Sequence, residues 1–163
     1  MLQVSPTEVV ANVIEGPDRT LATLINTSST PTIAEVLIKA GQIGYDPLSA
    51  QLFHTKSGRL NIEIAGGVHR LLLLIEPPVH PQVLFVLGAR KLESEKWDPQ
   101  SRTLTFSVSA IGAPLQITLY STSHIRKISD SEGQSVAFQW SSQTSLAQFD
   151  TTFEGMHQFI ALV

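Results

Sequence analysis

The stretch GGVHRLLLLI, Gly66 to Ile75, sets an unbroken apolar run, Leu71 to Ile75, behind a glycine pair and a histidine. The run is too short for a helix of ordinary length, and it falls far below the roughly 20 apolar residues that cross a bilayer. Gly66 and Gly67 before it and Glu76-Pro77-Pro78 after it are the punctuation of a strand. Alternation then places His69, Leu71, Leu73 and Ile75 on one face and Val68, Arg70, Leu72 and Leu74 on the other. A strand apolar on both faces has neither side in water, so a second layer is expected over each. The last ten residues, EGMHQFIALV from Glu154 to Val163, repeat the phrase. There His157, Phe159, Ala161 and Val163 oppose Met156, Gln158, Ile160 and Leu162, and the same cover is expected. Each histidine is expected at the wet entrance of its strand.

Working outward, TLATLINTS, LNIEIAG, VLFVLGA, TLTFSVSA and PLQITLYST also read as strands, rich in Val, Ile, Leu, Thr and Phe. Ile111-Gly112-Ala113, between the last two, reads as a hairpin connection. YDPLS and WDPQS read as turns, with proline fixing φ at the second turn position. Two segments also meet the template for a helix start, Ser5 with Glu8 and Thr32 with Glu35. Their alternation and β-branched content favour strands, with a short helix as the alternative. EPPVHPQ, Glu76 to Gln82, is the one linker-like stretch, since Pro77, Pro78 and Pro81 remove ladder donors. The expected fold is all-β: an antiparallel Ig-like β-sandwich, as two small sandwiches in tandem over residues 1–78 and 79–163. One larger sandwich over 1–163 is the alternative. The two echoes, Gly67 on Gly155 and Tyr45 on Trp97, lie at different offsets and cannot belong to one ungapped duplication.

Composition excludes several classes of function. The 163 residues are 42% hydrophobic but only 15% charged, against roughly 25% charged in ordinary globular chains. A net charge of −3 with no basic cluster beyond Arg90-Lys91 and Arg126-Lys127 gives no footprint for nucleic acid. No cysteine is present, so disulfides, thiolate nucleophiles and thiolate-bound zinc are out. MLQVSPTEVV shows no signal-peptide pattern, and no segment reads as membrane-spanning.

Candidates for chemistry are few. His54, His69, His80, His124 and His157 show no spacing that aims two imidazoles at one metal, so no metal and no cofactor is expected. SDSEGQS, Ser129 to Ser135, lacks the alternating oxygen ligands of a calcium loop and reads as a solvated hairpin turn. No nucleophile elbow or phosphate loop is present, and Glu63 is the clearest carboxylate carried on a strand. Trp97, Trp140 and Tyr45 are the candidate ligand-binding residues, because an aromatic face meets the C–H face of a sugar while nearby polar groups bond its hydroxyls.

Taken together, VVANVIEGPDRTLATLINTSSTPTIAEVLIKAGQIGYDP, SGRLNIEIAGGVHRLLLLIE and KWDPQSRTLTFSVSAIGAPLQITLY resemble the accessory β-sandwich domains that lie C-terminal to catalytic barrels in glycoside hydrolases. The resemblance implies a non-catalytic structural module of a carbohydrate-active protein, with no catalytic residue of its own. It implies packing through an apolar face on a parent catalytic domain or a second copy. A carbohydrate-binding module with saccharide as partner is the alternative, and a small freestanding hydrolase the second alternative.

Overall fold

The computed structural model describes residues 2–16, 19–55 and 57–163. Every strand pairing in it is antiparallel, and no helix occurs among the described residues. The chain forms two compact units, Met1–Pro77 and Pro78–Val163.

The first unit contains β1 (Gln3–Ser5), β2 (Val9–Glu15), β3 (Arg19–Asn26), β4 (Thr32–Leu37), β5 (Ile43–Asp46), β6 (Gln51–His54), β7 (Arg59–Ile64) and β8 (His69–Ile75). A three-stranded sheet, β1-β4-β7, faces a five-stranded sheet, β2-β3-β8-β5-β6. Strand β7 shows why these residues make a sheet: Leu60, Ile62 and Ile64 are buried while Arg59, Asn61 and Glu63 face water. They pack against Ala34 and Val36 of β4, Ala22 and Leu24 of β3, and Leu72 and Leu74 of β8, so both sheets supply one sandwich-like core. Both helix-start templates resolve as strands. Glu35, which a capping box would turn back on its own chain, instead reaches across the ladder to Arg59 at 3.1 Å.

In the second unit β9 (Gln82–Leu87), β12 (Leu115–Tyr120), β15 (Gln139–Ser141) and β16 (Leu146–Thr151) form a four-stranded sheet in the order β15-β16-β12-β9. Strands β10 (Lys91–Asp98), β11 (Thr103–Ile111), β13 (Lys127–Asp130), β14 (Ser135–Val136) and β17 (Glu154–Leu162) form a five-stranded sheet, β10-β11-β17-β13-β14. The core here is aromatic. Phe159 of β17 meets Phe106 at 5.4 Å and, across the sandwich, Phe149 of β16 at 5.3 Å. At the open margin the Glu95 carboxylate of β10 accepts the Val83 amide of edge strand β9, which occupies a donor that would otherwise invite another strand.

The units share one topology. Counted from its own first strand, and with β15 left out of the count, each has a sheet built from strands one, four and seven, and a second sheet in the order two, three, eight, five, six. Strand β15, at the edge of the four-stranded sheet, has no counterpart among the described residues of the first unit. The closing strands β8 and β17 therefore hold the same central place, but their histidines do not. His69 pairs with Ile25 on the face away from the core, whereas His157 pairs with Val108 on the core face. A shift of one residue reverses every side chain of a strand, so the repeated phrase is out of step with the repeated fold.

Two expectations are corrected. Ile111-Gly112-Ala113 is not a hairpin, because β11 and β12 belong to different sheets. Gly112, at φ 81°, turns the chain across the sandwich, and its amide donates to Phe153 O at 3.0 Å instead of entering a ladder. Nor is β17 covered on both sides. Met156 is 73% and Leu162 37% exposed, because their neighbours on β11 and β13 are Thr103, Thr105, Ser109 and Lys127. Strand β8 does bury both faces, with Leu72 through Ile75 all at 3% exposure or less.

At one end of the first unit the β3–β4 and β7–β8 crossings are knitted by Asn26. This residue is fully buried, and its Nδ2 donates to Thr30 O (2.8 Å), Ile64 O (3.0 Å) and Ala65 O (3.3 Å). Its Oδ1 accepts from the Ser28 amide and hydroxyl. Gly67, at φ 68°, donates to Ser28 O, and a Cβ on Gly66 would lie 2.3 Å from the Ser29 carbonyl. Asn26→Ala is expected to lower stability by about 2–3 kcal/mol, since it strands buried carbonyls, and Asn26→Asp by more, since it turns a carboxylate oxygen toward them. Gly66→Ala is expected to cost about 2–3 kcal/mol, and Gly67→Ala about 1 kcal/mol, because only the first collides with rigid backbone. Urea denaturation followed by far-ultraviolet circular dichroism checks both series.

Candidate functional site

The aromatic candidates are dispersed. Tyr45 sits on β5 opposite Leu73 and is fully buried, so its ring has no face to offer a sugar. Trp97 and Trp140 are half-buried, and both pack against the second unit's core. Trp97 lies on β10, the edge strand beside β9, whereas Trp140 lies on β15 at the far end of the four-stranded sheet. The sandwich therefore holds them at opposite margins, and no common platform forms. His124 meets the Trp140 ring edge-on at 5.7 Å.

The two Asp-Pro phrases fold alike. Asp46 pairs with Gln51 across the β5–β6 hairpin and Asp98 with Thr103 across β10–β11. Each carboxylate accepts the amide two residues on, Leu48 or Gln100, at 2.9 Å. Each loop then ends on a left-handed residue, Ala50 at φ 54° and Arg102 at φ 53°. Asp46 is nearly inaccessible and binds Arg70 of β8 at 2.8 Å. At Asp98, the Ser101 hydroxyl and then the Gln100 amide hold the carboxyl below its ordinary range. On the charged edge strand β10, Ser109 and then Lys91 do the same for Glu93. These groups stabilise charge, but each does so for its own turn or edge.

The remaining candidates are similarly placed. His157 Nε2 lies 4.0 Å from Asp130 Oδ2 and its ring stacks on Phe153 at 5.0 Å. Asp130 Oδ1 in turn accepts the Glu132 and Gln134 amides, so SDSEGQS is the β13–β14 hairpin turn, buttressed by His157. His69 and His54 are exposed, and His80 Nδ1 contacts Pro81 O at 3.0 Å. Glu63 is exposed on β7 opposite Ile33. Among the described residues no group of three or more His, Asp or Glu is placed to hold a metal ion, and no helix is long and apolar enough to cross a membrane.

One cleft went unseen in the sequence. On the second unit Gln116 of β12, Gln139 of β15, and Gln148 and Asp150 of β16 surround a cleft of about 370 Å³, with the half-buried Phe138 ring in its wall. Ladder register brings them together, Gln116 opposite Asp150 and Gln139 opposite Gln148. No local motif announces residues drawn from three strands; only the strand pairing does.

The fold and these sites define an all-antiparallel β protein of two sandwich-like units whose rim carboxylates hold turns. No family model matches the chain, and no curated protein matches it. Among solved structures it is similar to a β-porphyranase of glycoside hydrolase family 86 from the human gut bacterium Bacteroides plebeius, at 13% identity and a TM-score of 0.26. The match covers 97% of this chain and 34% of that one, so the chain spans about a third of that enzyme's length.

Because both tryptophans pack on the core, Trp97→Ala and Trp140→Ala are each expected to destabilise by about 2 kcal/mol. Urea melts of the two variants check this, and unchanged midpoints would show that neither ring contributes to packing.

Proposed function

We propose that the chain is a non-catalytic module of two Ig-like sandwiches that packs on the catalytic domain of a carbohydrate-active protein and holds its geometry. The observation that carries the reading is where the polar side chains are used. Asn26, Asp46, Asp98 and Asp130 each accept or donate within a loop of their own unit. Groups committed to turns rigidify a scaffold and leave little to converge on a substrate. The sequence phrasing, which resembles accessory domains of glycoside hydrolases, supports the same reading.

The outer face of β2, where Val10 and Ile14 flank Asn12, supplies the docking face. On the side away from the core Ile14 is 71% and Val10 46% exposed, beside the half-buried Leu21 and Ile25 of β3. Co-expression with a carbohydrate-active catalytic domain from the same reading frame or operon tests the proposal. The two are expected to co-purify, to raise that domain's melting temperature, and to separate in the Ile14→Lys variant. Glycoside hydrolysis by the isolated chain, or a catalytic domain indifferent to it, would overturn the reading. Association with a second copy through β2 would replace the partner.

A further inference from the structure

We propose that the cleft on β12, β15 and β16 binds a neutral saccharide, an inference that does not rest on the accessory role. Its lining has the chemistry of hydroxyl recognition. Gln116, Gln139 and Gln148 bring carboxamides that donate and accept at once, as sugar hydroxyls do, and Asp150 brings a carboxylate that accepts from hydroxyls. Among the described residues no Lys, Arg or His lines the cleft, so nothing there neutralises an anion. The half-buried Phe138 adds an apolar surface for C–H groups, and the volume of about 370 Å³ lies at the lower end of the range for ligand sites.

The polar groups are also held in place. They occupy two adjacent cross-strand pairs on rigid ladders, Gln116 with Asp150 and Gln139 with Gln148. Gln148 Nε2 donates to the buried Thr118 hydroxyl at 3.1 Å, which fixes one end of that carboxamide. Gln116 reaches Asp150 only at 3.4 Å, a long contact that a ligand hydroxyl can replace. The Gln139 carboxamide makes no hydrogen bond among the described residues. It is carried by β15, the strand without a counterpart among the described residues of the first unit. The one departure from the shared topology thus completes the cleft wall.

The test uses the whole isolated chain in affinity electrophoresis through xyloglucan, galactomannan, mixed-linkage glucan and neutral agarose, with sulfated and carboxylated polysaccharides alongside. Wild type is expected to be retarded by at least one neutral polymer. Gln139→Ala and Asp150→Ala, both at exposed positions, are expected to weaken that binding about tenfold each, with melting temperature unchanged. Absence of neutral binding, neutral binding that survives the double variant, or a preference for the acidic polymers overturns the proposal. A chain that binds no neutral glycan but still stabilises its catalytic domain sinks this inference and leaves the accessory role standing.

Discussion

The first unit depends on a single carboxamide. Asn26 ends β3, in the five-stranded sheet, and its Nδ2 reaches the carbonyls of Ile64 and Ala65, where β7 leaves the three-stranded sheet. Two sheets packed face to face are held by an apolar core that is indifferent to small sliding. Directional bonds at the crossings fix the offset. With Nδ2 and Oδ1 both engaged and the residue wholly inside, the cost of misplacing either crossing is an unpaired buried polar group. The glycine pair follows from the same constraint, since the β7–β8 loop must lie against the Ser29 backbone for Asn26 to reach it. The second unit closes the corresponding crossings with the Gly112 to Phe153 backbone bond, and there Phe149 and Phe159 join the sheets through ring contact. One topology is thus stabilised by directional polar bonds in one unit and by aromatic packing in the other.

Local signals were readable wherever the physics is local. Alternation in RLNIEI and the Asp-Pro pairs act within a few residues, and the strands and turns they implied are present. What a short sequence window does not carry is which sheet a strand joins. Ile111-Gly112-Ala113 has the composition of a tight turn, yet the β11 and β12 residues on either side need core faces that oppose each other, and only a crossing supplies that. Cover over a strand is likewise a property of its neighbours. Leucines on both faces of β8 are buried, while the equally apolar end of β17 lies among Thr, Ser and Lys and stays partly wet.

The candidate site was harder to read for the same reason. Asn26 finds its Ile64 partner 38 residues away, and the cleft residues come from three strands with no fixed spacing. Tyr45 and Trp97 each lie directly before an Asp-Pro turn, but a residue just before a hairpin turn still points to one face or the other. The pleat put Tyr45 on the buried face beside Leu73 and set Trp97 against the core. The histidine echo misled through register. His69 and His157 match in the letters of the sequence and fall on opposite faces of equivalent strands.

That mismatch bears on how a repeated fold acquires a specific surface. If the two units use one topology, residues at equivalent places should either serve the scaffold in both or depart together where one unit has a separate task. Asp46 and Asp98 occupy different hairpins and do the same work, closing a four-residue turn, so they belong to the scaffold. Strand β15 is the departure. It extends one edge of one sheet and adds Gln139 beside Gln148, while Phe138, just before it, packs on the core and lines the cleft. A strand added only for stability would be expected to bury apolar side chains on its inner face and leave its outer face to water. Trp140 meets the first condition, but on the outer face Gln139 converges with residues of two other strands on a cleft. The inner face of β15 is explained by packing, and its outer face supplies Gln139 to the cleft for which a saccharide is proposed.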